Sequence, residues 1–325
     1  MEGLHRMPQP ESLPQAAPVS ISVVVLTFNR LESLRALLAE LCVLSYPRLE
    51  LIVVDNCSEV PAATLAPSYE KVIFVRSPDN LGTAGRHLGM ARATGDIIVC
   101  LDDDVSGLTD AALWKLGPLF ADASIGGINF KVLEAVTGNV TNWVHHKAVE
   151  HYADSKFATY EITEGAVAFR REVVAAAGYY PESFFLSHEG PDLAFRIMEL
   201  GSDVVYDPAI EVIHAYSPLA RTSWRNYYFD TRNTLWLVAR NCPLGFGTQL
   251  LIRQTGSMLL YSLRDGFFLW WLRGVRDGLK GLRQAIRERK KLSSSTMRKI
   301  AAIDADRPGV VYLLRKRLFQ RGIKI

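Results

Sequence analysis

Residues 96–105 read Asp-Ile-Ile-Val-Cys-Leu-Asp-Asp-Asp-Val. An apolar run, Ile97 to Leu101, stops abruptly in three carboxylates, Asp102, Asp103 and Asp104. The run is short, rich in β-branched residues and bounded by Gly95 and the acids, which predicts a strand buried on both faces of a parallel sheet. Ligands of open α/β sheets bind just outside the carboxyl ends of the strands. Three acids placed there repel one another unless a cation or strong donors compensate. Oxygen donors at this spacing suit Mg²⁺ or Mn²⁺ held jointly with phosphate oxygens. A plainer reading makes the acids a cap for the helix after Leu108, but one Asp would suffice for that.

The flanking segments supply the rest of such a sheet. Ser20–Thr27 is a strand. Leu31, Leu34, Leu37, Leu38 and Leu41 are at helical spacing, with Tyr46-Pro47 as the stop. Strands follow at Leu51–Asp55 and Val72–Val75, and Asn80–Arg86 opens a helix through Arg92. Strands alternating with helices imply parallel pairing and right-handed crossovers. A helix is expected near 109–120 and a strand near 125–131. Residues 132–160, with Trp143, His145, His146 and His151, read as an irregular insertion with the histidines as surface or acceptor-loop residues. A strand over 164–170, helices at 171–177 and up to Leu200, and two short edge strands at 204–206 and 211–214 complete the α/β part.

The expected division is a disordered lead at 1–19, an α/β domain at 20–220, a helical region at 221–290 and a basic tail at 291–325. With 49% hydrophobic and 22% charged residues among 325, a large core is expected. The net charge of +3 conceals an asymmetry: residues 287–325 carry twelve Lys/Arg and three acids. In 248–288, read as one helical pattern, Leu263, Phe267, Trp271, Val275, Leu279, Leu282 and Ile286 share a stripe. Arg273, Arg276, Lys280, Arg283 and Arg287 share another. That pattern fits a helix lying on an anionic membrane, or one packed on the rest of the chain or on a second copy. Residues 1–20 lack the apolar core of a signal peptide, and no run reaches 18 apolar residues. Cys42, Cys57, Cys100 and Cys242 show no C-x-x-C spacing. Together these predict a cytoplasmic protein with buried thiols, peripheral to a membrane at most. No nucleic-acid-binding motif is present.

Thr27 and Asp55 are the polar ends of the first two strands. The turn Thr27-Phe-Asn29-Arg30 has neither G-x-G-x-x-G nor a P-loop. Asn80-x-Gly82-x-x-Gly85-Arg86 brings a turn and a cation to the same sheet edge. In order, Val-Val-Leu-Thr27-Phe-Asn29-Arg30, Val-Val-Asp55-Asn56, Asn80-Leu-Gly82-x-x-x-Arg86, Gly95-Asp96 and Leu-Asp102-Asp-Asp104 resemble glycosyltransferase family 2 with its GT-A fold. So do Gly165-Ala-x-x-Phe-Arg170, His-Glu189-x-x-Asp192-Leu-x-x-Arg196, His214 and Arg232-Asn233. The resemblance covers roughly 20–240 and is most similar to bacterial rhamnosyltransferase-like members.

The resemblance implies inverting transfer of a sugar from a nucleotide-diphosphate donor, UDP- or dTDP-linked by preference, to a hydroxyl of a glycan or lipid-linked acceptor. Asp102 and Asp104, with His214, would hold Mg²⁺ or Mn²⁺. Thr27, Asn29, Arg30, Asp55, Asn80, Gly82, Arg86 and Asp103 would line the nucleotide-sugar site. A general base must take the acceptor proton. Many members have two adjacent acids where this chain has Glu189-Gly190, so Glu189 is the expected base and Asp192 the second candidate, or a helix-capping residue. The alternatives are a nucleotidyltransferase on a related sheet and a catalytically silent sugar-nucleotide- or membrane-binding scaffold.

Overall fold

The structure, a computed structural model, describes residues 17–215, 224–305 and 307. The first half alternates as read: β1 (Ile21–Thr27), α1 (Leu31–Leu41), β2 (Leu49–Asp55), β3 (Val72–Arg76), α2 (Arg86–Arg92) and β4 (Ile97–Asp102). Then come β5 (Val105–Ser106), α3 (Asp110–Leu119), β6 (Ile125–Glu134), α4 (Val149–Tyr152), β7 (Phe157–Ala158), β8 (Ala166–Arg170), α5 (Arg171–Ala177), α6 (Glu189–Glu199) and β9 (Asp203–His214). Four helices follow: α7 (Trp224–Asn241), α8 (Leu244–Asp265), α9 (Phe268–Arg287) and α10 (Ser294–Asp304).

The strands form one sheet in the order β3-β2-β1-β4-β8-β6-β9-β5, with β7 added beside β9. The β3-β2-β1-β4 half is parallel, and β8 enters antiparallel between β4 and β6. Val23 and Val25 face one hydrophobic layer with Leu34, Leu38, Leu113 and Leu116. Val24 faces the other, with Met90, Leu193 and Ile197. Burial on both faces is what an unbroken apolar strand requires, and each such side chain contributes about 1.5–3 kcal/mol. The register aligns Thr27 with Asp55 and Leu26 with Asp102, so β1, β2 and β4 end level. The chain winds from β1 out to β3 and then returns to the other side of β1 as β4. The resulting crevice between β1 and β4 is the switch point where such sheets bind ligands.

Several expectations are corrected. Helix α1 ends at Leu41, before Tyr46-Pro47. The chain must turn early to bury Tyr46, whose hydroxyl donates to the Val19 carbonyl at 2.8 Å. The two edge strands are one strand, β9, parallel to β6 and irregular around Pro208, which has no N–H to give the ladder. His145 is buried, its ring edge-on to Trp143, Phe157 and Tyr206. His146 pairs with Glu161. Neither is a surface residue, because the insertion folds back onto β9. The 248–288 pattern is two helices, parted at Gly266 (φ +78°), which caps α8 in the left-handed region. Of the thiols, Cys100 and Cys242 are buried and Cys42 is exposed.

Helix α9 rests on α7 through glycines. A Cβ on Gly274 would come within 2.6 Å of the Tyr228 carbonyl, and one on Gly281 within 2.5 Å of the Trp236 ring. Of the expected stripe, Leu279 and Ile286 turn outward, 55% and 54% exposed, beside Leu272 at 47%, whereas Trp271, Val275 and Leu282 are half-buried. Among the described residues no helix is long and apolar enough to cross a membrane. The expected 220/221 boundary lies outside the described residues, as does most of the 1–19 lead. Part of the expected tail is helix α10, which tethers itself through Lys299 to Asp203 at 2.7 Å.

Candidate active site

The acids at the end of β4 are held by four partners, Thr27, Arg30, His214 and Arg86. The Thr27 hydroxyl donates to Asp103 at 2.6 Å, and Arg30 reaches both Asp103 (3.3 Å) and Asp104 (2.5 Å). His214, at the end of β9, lies with Nε2 3.2 Å from the other oxygen of Asp104. Arg86, 1% exposed, turns its guanidinium to Asp102 and to the Thr83 carbonyl. It is thus a buried counter-charge rather than a surface arginine. Burial pushes the Asp103 carboxyl above the usual range, more than Thr27 and Arg30 pull it down. Burial also raises Asp104, but His214 and Arg30 outweigh it and hold this carboxyl below its ordinary value.

Among the described residues no three His, Cys, Asp or Glu side chains converge as a ready metal cage. The expected set divides: Asp104 and His214 are adjacent, whereas Asp102 is drawn to Arg86. The donor chemistry nonetheless fits Mg²⁺ or Mn²⁺. Asp104 is an ionised hard oxygen donor, His214 offers an imidazole, and the Asp102 side chain is 37% exposed to the crevice. A cation that shares phosphate oxygens needs only one or two protein ligands.

A second cluster lies beside Asp102. Gly82 adopts φ +62°, and a Cβ there would fall on the Phe185 carbonyl, so only glycine permits the contact. Asn56 shapes this turn by donating to Asn80 Oδ1 and the Gly82 carbonyl, both at 2.9 Å. The turn seats Thr83, whose N–H donates to the Phe185 carbonyl at 2.8 Å and whose hydroxyl donates to Glu189. On the far side, Asn233 of α7, fully buried, reaches the carbonyls of Phe184, Leu186 and Ser187 at 2.7–2.9 Å. Between these clamps Phe185, Ser187 and His188 all hold positive φ. Strained backbone of this kind costs about 1–3 kcal/mol per residue and persists only where neighbours enforce it. Here it delivers Glu189, the first residue of α6, 1% exposed with Oε2 unpartnered. Burial pushes its carboxyl above the ordinary range.

Other expected site residues stand differently. Asp192 is fully buried and accepts from Arg196, Arg240 and Asn241. It ties α6 to α7. Asp55 accepts from the N–H groups of Ser58 and Ala62 and from Arg76, which fixes the loop after β2. Asn29 does the same from its side, accepting from Glu59 N–H at 2.8 Å. Sequence reasoning missed Thr83 and Glu164. Thr83 falls at an unspecified position of the Asn80–Arg86 motif and Glu164 just before the Gly165–Arg170 one, and each meets Glu189 only in the fold.

The level strand ends, the switch-point crevice and the acid cluster define a GT-A fold. A mannosyltransferase from Pyrobaculum calidifontis, solved with GDP-Man and Mn²⁺, superposes with a TM-score of 0.52 over 95% of this chain and 84% of that one, at 19% identity. Residues 22–170 match the model for glycosyl transferase family 2. It is 26% identical over 169 residues to an uncharacterized glycosyltransferase, YwdF, of Bacillus subtilis (strain 168), covering 50% of this chain and 62% of that protein. It is 23% identical over 278 residues to a pre-mycofactocin glycosyltransferase of Mycobacterium tuberculosis (strain CDC 1551 / Oshkosh), covering 82% and 54%. The chain thus spans less than two thirds of either relative.

Proposed function

We propose that this protein is an inverting glycosyltransferase that moves a sugar from a nucleotide-diphosphate donor to a hydroxyl of a glycan or lipid-linked acceptor. The observation that carries the reading is the Asp104–His214 pair at the ends of β4 and β9 together with the buried Glu189, whose Oε2 has no hydrogen-bond partner. Arg86 links the two ends, since it donates to Asp102 and to the Thr83 carbonyl while Thr83 donates to Glu189. Asp104 and His214, with Asp102 alongside, would hold Mg²⁺ or Mn²⁺. Once bound, that ion stabilises the charge developing on the departing nucleoside diphosphate. Thr27, Asn29, Arg30, Asp55 and Asp103 would surround the nucleotide. The carboxyl end takes the acceptor proton as the acceptor oxygen attacks the anomeric carbon from the face opposite the diphosphate, which inverts that centre.

The outward face of α9 supports a peripheral membrane position, suited to a lipid-linked acceptor. Leu272, Leu279 and Ile286 are exposed, and Arg273, Arg276, Lys280, Arg283 and Arg287 flank them. Apolar insertion plus attraction to anionic headgroups is the energetics of an interfacial helix.

The test is thermal stabilisation by UDP, dTDP and GDP, each with and without Mn²⁺. A ligand bound only to the native state raises the melting temperature by mass action. A Mn²⁺-dependent shift, strongest for UDP or dTDP and lost in Asp104→Asn, is expected, with donor turnover following. A folded protein that responds to none of them would be a silent scaffold. Sedimentation with phosphatidylglycerol vesicles, lost on Leu272→Asp/Leu279→Asp, tests the α9 face.

A further inference from the structure

Glu189 is enclosed, yet a general base must touch an acceptor that arrives from solution. A second carboxyl lies beside it. A Cβ on Gly190 would come within 2.6 Å of Glu164 Oε1, so the Glu164 carboxylate occupies the space that any side chain at 190 would need. Glu164 is only half-buried, whereas Glu189 is 1% exposed. Its segment is fixed on both sides. Asn129 Oδ1 accepts from the Thr163 N–H at 2.7 Å, and Gly165 packs so closely on the Asp102 carboxylate that a Cβ there would overlap it. Glu164 thus stands between the open Asp102 and the buried Glu189, whose Oε2 has no partner.

We propose that Glu164 is the group that takes the acceptor proton, with Glu189 behind it as a positioning residue that shares a proton with it. This rests on the transferase reading above. In the step, the acceptor O–H bond breaks and its proton passes to a Glu164 oxygen. The acceptor oxygen forms the new bond to the anomeric carbon, and the carbon–oxygen bond to the diphosphate breaks with its electron pair on the departing nucleoside diphosphate. Water in the acceptor's place gives slow donor hydrolysis with the same proton acceptor.

The surroundings agree. Burial first, and the Glu189 charge second, push the Glu164 carboxyl upward, and burial pushes Glu189 upward too, so a proton on either carboxyl is favoured over two adjacent charges. The other groups facing the pair are Arg86 from α2, Tyr180 from the loop before α6, Glu161 from the segment before β8, and Asp230 and Arg232 from α7. Arg86, though paired with Asp102, pulls both carboxyls down, but burial outweighs it.

The experiment compares full-length wild type, Glu164→Gln and Glu189→Gln. For Glu164→Gln, kcat for transfer or donor hydrolysis is expected to fall roughly 10²–10⁴-fold, the range for loss of a general base. Mn²⁺-dependent nucleotide binding should change by less than about threefold, well under a decade in Kd. In Glu189→Gln a smaller loss is expected, with the acid limb of the pH–kcat profile moved to lower pH, because Glu164 no longer shares a proton. A merely structural Glu189 would leave that limb in place. Glu164→Gln with near wild-type kcat, or Glu189→Gln as inactive as Glu164→Gln at every pH, overturns the assignment. Isotope-edited infrared spectroscopy of ¹³C-Glu protein needs no turnover. A protonated carboxyl band at neutral pH that both substitutions remove supports the pair, and its absence in wild type overturns it. Wild type that binds nucleotide but never turns over a donor would instead fault the transferase reading.

Discussion

Replacing Asp192 separates a structural carboxylate from a catalytic one. Its Oδ2 accepts from Arg196 Nε (3.0 Å) and Nη2 (2.8 Å), and its Oδ1 from Arg240 Nε (3.0 Å) and Asn241 Nδ2 (2.7 Å). Asp192→Ala leaves two arginines facing each other across α6 and α7 without the anion. Removing one partner of a buried ion pair costs about 3–5 kcal/mol. Arg196 keeps the Ala177 and Tyr179 carbonyls and Arg240 keeps Glu288, so the lower end, about 3 kcal/mol, is expected. Burial works against the Asp192 charge, but Arg196 and Arg240 outweigh it and hold the carboxyl below its usual range. A depressed carboxylate stabilises the fold above its unfolded-state value, about pH 4, and that contribution disappears as pH falls through the folded-state value. The gap between wild type and variant, read by urea unfolding from pH 7 to pH 3, should therefore close in acid. The folded variant should keep its Mn²⁺-dependent nucleotide shift and most of its kcat. A variant as stable as wild type with kcat down by about 10²-fold or more would make Asp192 the base and refute this account.

Three further outcomes follow from single contacts. Gly82→Ala forces a side chain onto the Phe185 carbonyl at positive φ and is expected to cost at least about 1–2 kcal/mol, with kcat falling as the Glu189 loop loosens; urea unfolding and donor hydrolysis read both. His145 is held neutral by burial, its ring lowered to about 3, so wild type loses stability as pH drops from about 6.5 towards that value while His145→Phe does not. The difference between the two should change by about 1.4 kcal/mol per pH unit between pH 6 and 4, and a constant difference would mean the ring is hydrated. Asn233→Ala unhooks three carbonyls of the 184–188 loop and should destabilise by about 2–4 kcal/mol, visible in hydrogen exchange as lost protection around α6; unchanged exchange there would mean the Gly82 side alone holds the loop.

The alternation of apolar strands with helices, and the acids ending β4, were legible because they are local. A five-residue apolar run needs burial on both faces wherever it sits, and three adjacent carboxylates need compensation wherever they sit. Asp104 and His214 were named from separate motifs, and the sheet brought them within 3.2 Å. The helix-like stripe near 256–286 was legible as amphipathic, but not its direction. Glycines on the opposite face of α9 decided that, because they let α7 approach and left Leu272, Leu279 and Ile286 outside.

What the sequence determined by itself was the set of elements and the charge at one sheet edge, since periodicity and side-chain ionisation belong to short stretches of chain. The tertiary structure decided which carboxylates are occupied and which are open. Asp55 and Asp192 have the same carboxyl group as Glu189, yet Arg76 of β3 and the nearby Ser58 and Ala62 N–H groups consume the acceptor capacity of Asp55, and arginines of α6 and α7 consume that of Asp192. Glu164 reads as one more polar residue before a strand. Only the fold sets it over Gly190, where the missing side chain leaves room for its carboxylate. A carboxylate's role follows from which donors reach it and how much water remains, and both are fixed by packing between residues far apart in the chain.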